Sequence, residues 1–217
     1  VAPDVGEPAV SSPASLPLEI HLSAQRGELQ EVVRWLGKGG LVDALNTGPS
    51  EEGKSTLLHV AATYGQLEIV RELLKRGASV DLPTCFGVTS LMCSAANGHL
   101  SILLILLQHS ANPDLQNIDG STALMLAAVG GKEACVQALL RAKANAELLD
   151  KNGLTALRYA KTKGRAATAG LIRQHVQVVQ AAQAVRADAA MEELLAEEEA
   201  EQAKGQARSK KSKKKKK

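Results

Sequence analysis

Apolar residues recur along this chain at two spacings. Over short distances they fall three and four apart, as in "QLEIVRELLKRG". There Leu67, Val70, Leu73 and Leu74 lie on one face of a predicted helix. Over longer distances the same face returns. Leu58, Leu91, Leu124 and Leu157 stand 33 residues apart, as do Thr56, Thr89, Thr122 and Thr155. The interval also governs Gly65, Gly98, Gly131 and Gly164, then Gly87, Gly120 and Gly153, then Ala78, Ala111 and Ala144. Series that share one register identify a repeated supersecondary unit.

Each unit reads as helix, turn, helix, turn. "TLLHVAATYG" is a short helix ended by Gly65, because a helix C-terminus often needs a left-handed residue. "QLEIVRELLKRG" is its second helix. "NIDGST" and "DKNGLT" connect units, and their Asp-Gly and Asn-Gly pairs suit tight turns with positive φ. Small residues at Ala61, Ala62, Ser94, Ala95, Ala127 and Ala128 allow close helix approach.

The pattern resembles the ankyrin repeat family. That family's signature, G-x-T-P-L-H-x-A-A followed by a helix and G-A, is matched by "KSTLLHVAA…RGA", "GVTSLMCSA…HSA", "GSTALMLAA…AKA" and "GLTALRYAK". An earlier unit, "EIHLSAQRGELQEVVRWLGKGGLVD", keeps His21, Ala24, Gly27, Val32 and Leu36 in register. The resemblance covers residues 17–175, about five repeats, in units of about 17–50, 51–84, 85–117, 118–150 and 151–175. It implies an all-α repeat solenoid, a stack of helix-turn-helix units with β-turn or hairpin fingers. Departures are local. The family's Pro is Leu57, Ser90, Ala123 and Ala156 here, and its His survives only at His21 and His59, with Met92, Met125 and Arg158 elsewhere. In the last unit Lys161 replaces a small Ala, which fits a terminal cap facing water. Trp35 takes a leucine position of a second helix and is expected in the core. Cys93 and Cys135 are expected to pack inward as small apolar residues.

One stretch suggests different chemistry. "GPSEEGKST" fits the phosphate-binding pattern G-x-x-x-x-G-K-[ST], with Lys54 and Ser55 in the functional places. Its context disagrees. A phosphate loop leaves a buried strand, whereas "LVDALNT" is short and carries Asp43, and Glu51 and Glu52 would crowd a triphosphate with negative charge. Gly27 and Gly65 are 38 apart, the repeat length plus five, so the stretch reads as a lengthened connection between units one and two. Such an insertion is tolerated, since doubling a flexible loop costs only about 0.6 kcal/mol.

Composition supports the helical reading. The 217 residues are 45% hydrophobic but only 2% aromatic, a balance that favours helices packed through small side chains. No run of 18 apolar residues occurs, so no membrane-spanning helix is expected. "VAPDVGEPAVSSPASLP" lacks a basic start and an apolar run and does not read as a secretory signal. Residues 1–16 are expected to be disordered. An odd number of cysteines, three, points to reduced thiols in an intracellular protein, with cytoplasm and nucleus undistinguished. The five histidines have no metal-binding spacing, and no cofactor, metal, small-molecule substrate or catalysis is expected.

Charge is segregated at the C-terminal end. Residues 1–187 carry 17 Lys+Arg against 16 Asp+Glu; 188–203 carry seven acids and no base; 204–217 carry nine bases and no acid. Residues 176–204 read as a charged helical extension, either a helix projecting from the last repeat or a coiled coil. Residues 205–217, "GQARSKKSKKKKK", read as a disordered polybasic tail. Lys210–Lys217 suit weak contact with nucleic acid or an acidic membrane, nuclear import, or simple solvation.

Function in such stacks lies on the extended concave surface. The resemblance implies that residues flanking the turn glycine and those ending the first helix contact a protein partner. Here these are Glu52, Ser55, Thr63 and Tyr64, then Cys85, Phe86, Val88, Ala96 and Asn97. They continue with Ile118, Asp119, Ser121 and Val129, then Lys151, Asn152, Leu154 and Lys163. Phe86 stands where the family usually has Asp or Asn, and exposed aromatics are typical interface anchors. The reading is thus a non-catalytic interaction module or adaptor for an unidentified protein partner, with the basic tail aiding localisation. The alternatives are a nucleic-acid- or chromatin-associated protein that binds mainly through the tail, and a nucleotide-binding protein.

Overall fold

The structure is a computed structural model that describes residues 15–46 and 54–214. Ten helices and two short strands lie among the described residues. The chain divides into one compact unit ending at Arg173 and a second beginning at Gln174.

In the first unit the helices come in pairs, α1 (Leu18–Arg26) with α2 (Leu29–Gly37), α3 (Leu57–Tyr64) with α4 (Leu67–Lys75), and α5 (Ser90–Asn97) with α6 (Leu100–Gln108). They continue with α7 (Ala123–Gly130) and α8 (Glu133–Arg141), then α9 (Ala156–Thr162) and the start of α10 (Ala166–Lys214). First helices pack on first helices and second helices on second helices, so the pairs form a two-layered stack. The core runs between the layers. Leu73, Leu106, Leu139 and Ile172, one per unit at the 33-residue interval, are fully buried. Ala62, Ala95 and Ala128 are equally buried, and their small size brings adjacent first helices together.

Four of the five first helices start at the threonine series, whereas α1 follows Pro17 without a side-chain cap. Thr89, Thr122 and Thr155 Oγ1 accept from the backbone N–H of Met92, Met125 and Arg158 at 3.4, 3.3 and 3.3 Å. Side chains then tie unit to unit. Gln66 Nε2 donates to Gln25 O at 2.8 Å and His99 Nε2 to Thr63 O at 3.0 Å, each reaching back over the glycine that ends the preceding first helix. Asp81 accepts from Asn112 N at 3.1 Å and Asp114 from Asn145 N at 2.8 Å, so a carboxylate of one unit holds the next unit's loop.

The fingers between units are hairpins closed at the base. Thr84 N donates to Val88 O, Asn117 N to Ser121 O and Asp150 N to Leu154 O, each pair four residues apart. The corresponding bond in the first finger joins Asn46 N to Ser55 O, nine residues apart. The excess of five therefore sits in the finger tip, whose residues 47–53 lie outside the described set. β2 (Leu45–Asn46), which leads into it, pairs in parallel only with β1 (Ser15–Leu16).

Several expectations are corrected. Ser15 and Leu16, expected in a disordered segment, form β1, because Leu16 is buried against the first unit; residues 1–14 lie outside the described set. Trp35 is half-buried, not core. Its indole covers Gly40, where an added Cβ would stand 2.5 Å from the ring. Cys93 is also only half-buried, whereas Cys135 is buried as expected.

The repeat register ends for a physical reason. Second helices exit through a left-handed residue at Gly77, Ser110 and Lys143, with φ of 82°, 64° and 63°. The next position in the series is Val176, and a β-branched residue is a true outlier there. α10 accordingly runs on, and its residues from Gln174 to Lys214 make the second unit. It extends through most of the segment expected to be a disordered tail, whose Lys, Arg, Gln and Ala are good helix formers. No described helix is long and apolar enough to cross a membrane.

Neighbouring fingers touch through their backbones. Ile118 N donates to Phe86 O and Lys151 N to Asp119 O, both at 3.0 Å. A Cβ on Gly120 would meet the backbone of Asp150 and Lys151 at 2.9 Å, while one on Gly153 would meet nothing within 4 Å. Both glycines have positive φ. Gly153→Ala should therefore cost only the left-handed penalty, about 1–2 kcal/mol. Gly120→Ala should add an overpacking penalty of about 1–3 kcal/mol to it. Urea unfolding of the two variants checks this order, and equal losses would disprove the finger-stacking account.

Candidate functional site

The ends of the first helices and the fingers meet around one cavity. Its volume is about 300 Å³, and it is lined from α1, α3, α5 and the second finger. Tyr64 at the end of α3 and Phe86 at the tip of the finger stand at its margin, 48% and 43% exposed. Val60 and Val88 form apolar walls, and Thr63, His59 and Cys93 line it from the two helices.

His59 holds this arrangement together. Its Nδ1 faces the N–H of Thr56 at 3.3 Å and the hydroxyl at 2.9 Å, closing a reciprocal cap on α3. Its Nε2 donates to Val88 O at 3.0 Å, which fastens the second finger to α3. The carbonyl can only accept, so the proton sits on Nε2. Thr63 Oγ1 in turn donates to His59 O at 2.8 Å, and Thr84 Oγ1 accepts from Val88 N at 3.1 Å. His21 on α1 is paired with Asn46 at the base of the first finger at 3.3 Å.

Among the described residues no Asp, Glu, Lys or Arg lines the cavity, although Asp43 is near enough to act on His59. Burial holds both His59 and His21 below the ordinary imidazole pKa and so favours their neutral forms. Burial likewise pushes the Cys93 thiol up, against an opposing hydrogen bond with Thr63, so this cysteine is protonated near neutral pH and a poor nucleophile.

Of the residues expected to contact a partner, the structure gathers Ser55, Thr63, Tyr64, Phe86 and Val88 at this cavity. The others lie along the same row without lining it. Cys85 is exposed in the second finger, Ala96 is half-buried, and Asn97 is exposed at the end of α5 with its Nδ2 donating to Cys93 O at 2.9 Å. Ile118 and Asp119 are exposed in the third finger, and Ser121 and Val129 are half-buried. Lys151, Asn152 and Lys163 are exposed and Leu154 is half-buried. Glu52 falls outside the described residues.

His21, His59, Val60, Thr84 and Cys93 were not among the expected contacts. The available signal was that the first two units alone retain His at their signature position. The fourth finger has its own clasp: Asp150 accepts from Asn152 N, Leu154 N and the Tyr159 hydroxyl at 2.9, 2.8 and 2.5 Å. The Tyr159 bond, then that from Leu154, holds the carboxyl below its usual range.

The phosphate-loop match gains no support. Lys54 is exposed, Ser55 closes the base of the first finger, and the strand before the loop is a two-residue pair and not part of a buried parallel sheet. Among the described residues no group of three or more His, Cys, Asp and Glu is placed to hold a metal ion.

A family model described as ankyrin repeats (3 copies) matches residues 20–117 and 91–182. The chain belongs to the ankyrin repeat family. No curated protein matches it. Ankyrin repeats commonly mediate protein–protein interaction and are generally non-catalytic. In this ankyrin stack the conserved-type histidine of unit two does structural work, clamping a finger beside the cavity.

The neutral histidines have a consequence for stability. Their folded pKa lies below the unfolded value of about 6.5, so the unfolded chain takes up protons first as pH falls. Their contribution is complete above about pH 7 and is lost as pH drops through 6.5 towards the folded pKa. Thermal melting from pH 7.5 to 5 should show the midpoint falling. His59→Gln should lower the midpoint at pH 7.5 and flatten the slope. An unchanged slope would refute the assignment.

Proposed function

We propose that this protein is a non-catalytic interaction module that binds a protein partner across its row of fingers and first-helix ends. Tyr64 and Phe86 carry the reading: two of the few aromatic residues in the chain are exposed and line one cavity. Aromatic anchors at a preformed depression dominate many interfaces, each worth about 2 kcal/mol or more when truncated. The contact surface extends from them along Cys85, Asn97, Ile118, Asp119, Ser121, Lys151, Asn152 and Leu154, with Glu52 contributing from the long first finger. The Lys-rich end of the chain aids localisation and does not select the partner.

The test is affinity capture with the intact protein, the Tyr64→Ala/Phe86→Ala double variant, and a variant lacking residues 206–217. A partner retained by the intact and shortened proteins, and lost at least tenfold by the folded double variant, supports the proposal. A partner held equally by the double variant removes the concave surface from consideration. Nucleic acid held by the intact protein and lost on shortening would favour binding through the tail instead.

A further inference from the structure

A second depression, of about 390 Å³, lies where α9 gives way to α10. None of its lining residues lines the cavity at Tyr64 and Phe86. We propose that this groove receives the acidic helical segment 188–203 of a second copy of this chain.

By register the groove is a seat for a helix. Its floor includes the small residues Ala160, Gly164 and Gly170. In the earlier units the glycine that ends a first helix is covered by the unit that follows. A Cβ on Gly27, Gly65, Gly98 or Gly131 would stand 2.5, 2.7, 2.8 or 2.8 Å from Gln66, His99, Lys132 or Arg165. One on Gly164 or Gly170 would meet nothing within 4 Å. The position that a next unit fills elsewhere is therefore open here, and small residues on its floor allow a helix to approach closely.

The rim of this seat is cationic. Lys161, Arg165 and Arg173 line it, and all three are exposed. Two of them stand where the earlier units stack through apolar side chains. Lys161 takes the place of Ala62, Ala95 and Ala128, and Arg173 that of Leu74, Leu107 and Leu140. Arg165 Nε donates to Val129 O at 3.4 Å, which leaves its charge unmatched. Among the described residues no ion pair involves any of the three. The bias extends along the sequence: residues 151–187 carry seven Lys+Arg and no Asp or Glu. An ordinary repeat would bury these charges, whereas a helix rich in carboxylates would match them.

The chain itself carries such a helix. Residues 188–203 hold seven acids and no base and fall within α10. Met191, Leu194 and Leu195 recur three and four apart among the acids, which gives the segment an apolar side for the small-residue floor. The segment and one wall of the groove belong to the same unbroken helix, and a helix does not pack on itself. A second copy must therefore supply the segment. Each copy offers one groove and one acidic segment, so two copies exchange both contacts about a twofold axis, the commonest closed arrangement of identical chains. Single exposed ion pairs are weak, and the contact depends on several bases meeting several acids together.

Sedimentation velocity of the intact protein over a range of concentrations tests this. A reversible dimer is expected, weakened at least tenfold by high salt. Two variants reverse charge at one side each: Lys161→Glu/Arg173→Glu in the groove, and Glu197→Lys/Glu198→Lys/Glu199→Lys in the segment. Circular dichroism should show both folded, since all the groove positions changed are exposed. Each alone should dimerise at least tenfold more weakly than the intact protein. An equimolar mixture should regain the dimer, because each groove then meets a segment of opposite charge. A chain that stays monomeric at every concentration overturns the proposal, and so does a dimer that neither variant weakens or that the mixture fails to restore. A monomer that binds a single-stranded oligonucleotide and loses it in the groove variant would assign the groove to nucleic acid and equally overturn it.

Discussion

No helix pair in this stack can bury its apolar face alone. A pair is two layers thick and one helix wide, so its small and branched residues also face the next pair. Leu73, Leu106, Leu139 and Ile172 are all fully buried, yet each belongs to a different unit. The stack therefore stands or falls as a row of interfaces, with stability close to a sum of unit and neighbour terms. The last described pair departs from the others at this contact position. Lys161 occupies the place of Ala62, Ala95 and Ala128 and is exposed, so the end of the row is made compatible with water.

The same constraint places the candidate site. Stacking fixes the distance from one first helix to the next, and the finger between them must close over the gap. His59 and the backbone bonds between fingers convert that spacing into a defined surface. Where the signature histidine is present, in units one and two, its side chain holds the next finger: His21 pairs with Asn46, and His59 donates to Val88 O. In the later units Met92 and Met125 are buried and cannot make such a bond, and finger-to-finger contacts are carried by Ile118 N and Lys151 N. Local differences along an otherwise regular row thus arise from single substitutions at one register position.

Most of the stack was legible because its information is periodic. Threonine caps, left-handed glycines and buried leucines each recur, so a weak local signal was reinforced by its copies. The exit of the last helix was legible in principle, since Val176 cannot take the place of Gly77, Ser110 and Lys143. The partial exposure of Trp35 was not, because it depends on how the chain after α2 folds over the ring at Gly40. The two-residue β1 was hidden for a similar reason: a strand that short has no period, and only its partner at Leu45–Asn46 defines it. The candidate site was legible in part. Register identified Ser55, Thr63, Tyr64, Phe86 and Val88, but the cavity they share includes His21 and Cys93 from neighbouring units, whose side chains meet only after stacking.

The lysine-containing stretch at the first finger illustrates how context decides a motif. Its letters satisfy a phosphate loop, but chemistry of that kind needs a buried strand aimed at a helix N-terminus. Here a two-residue strand leads to the base of a finger, and Asn46 and Ser55 are hydrogen-bonded across it just as Asn117 and Ser121 are in a finger of ordinary length. The five additional residues are therefore inserted into a closed hairpin, leaving the helix stack and its register untouched. Ser55, the residue that a nucleotide reading would assign to magnesium, instead lines the cavity beside Tyr64. A finger closed at its base is where added chain leaves the helix stack undisturbed.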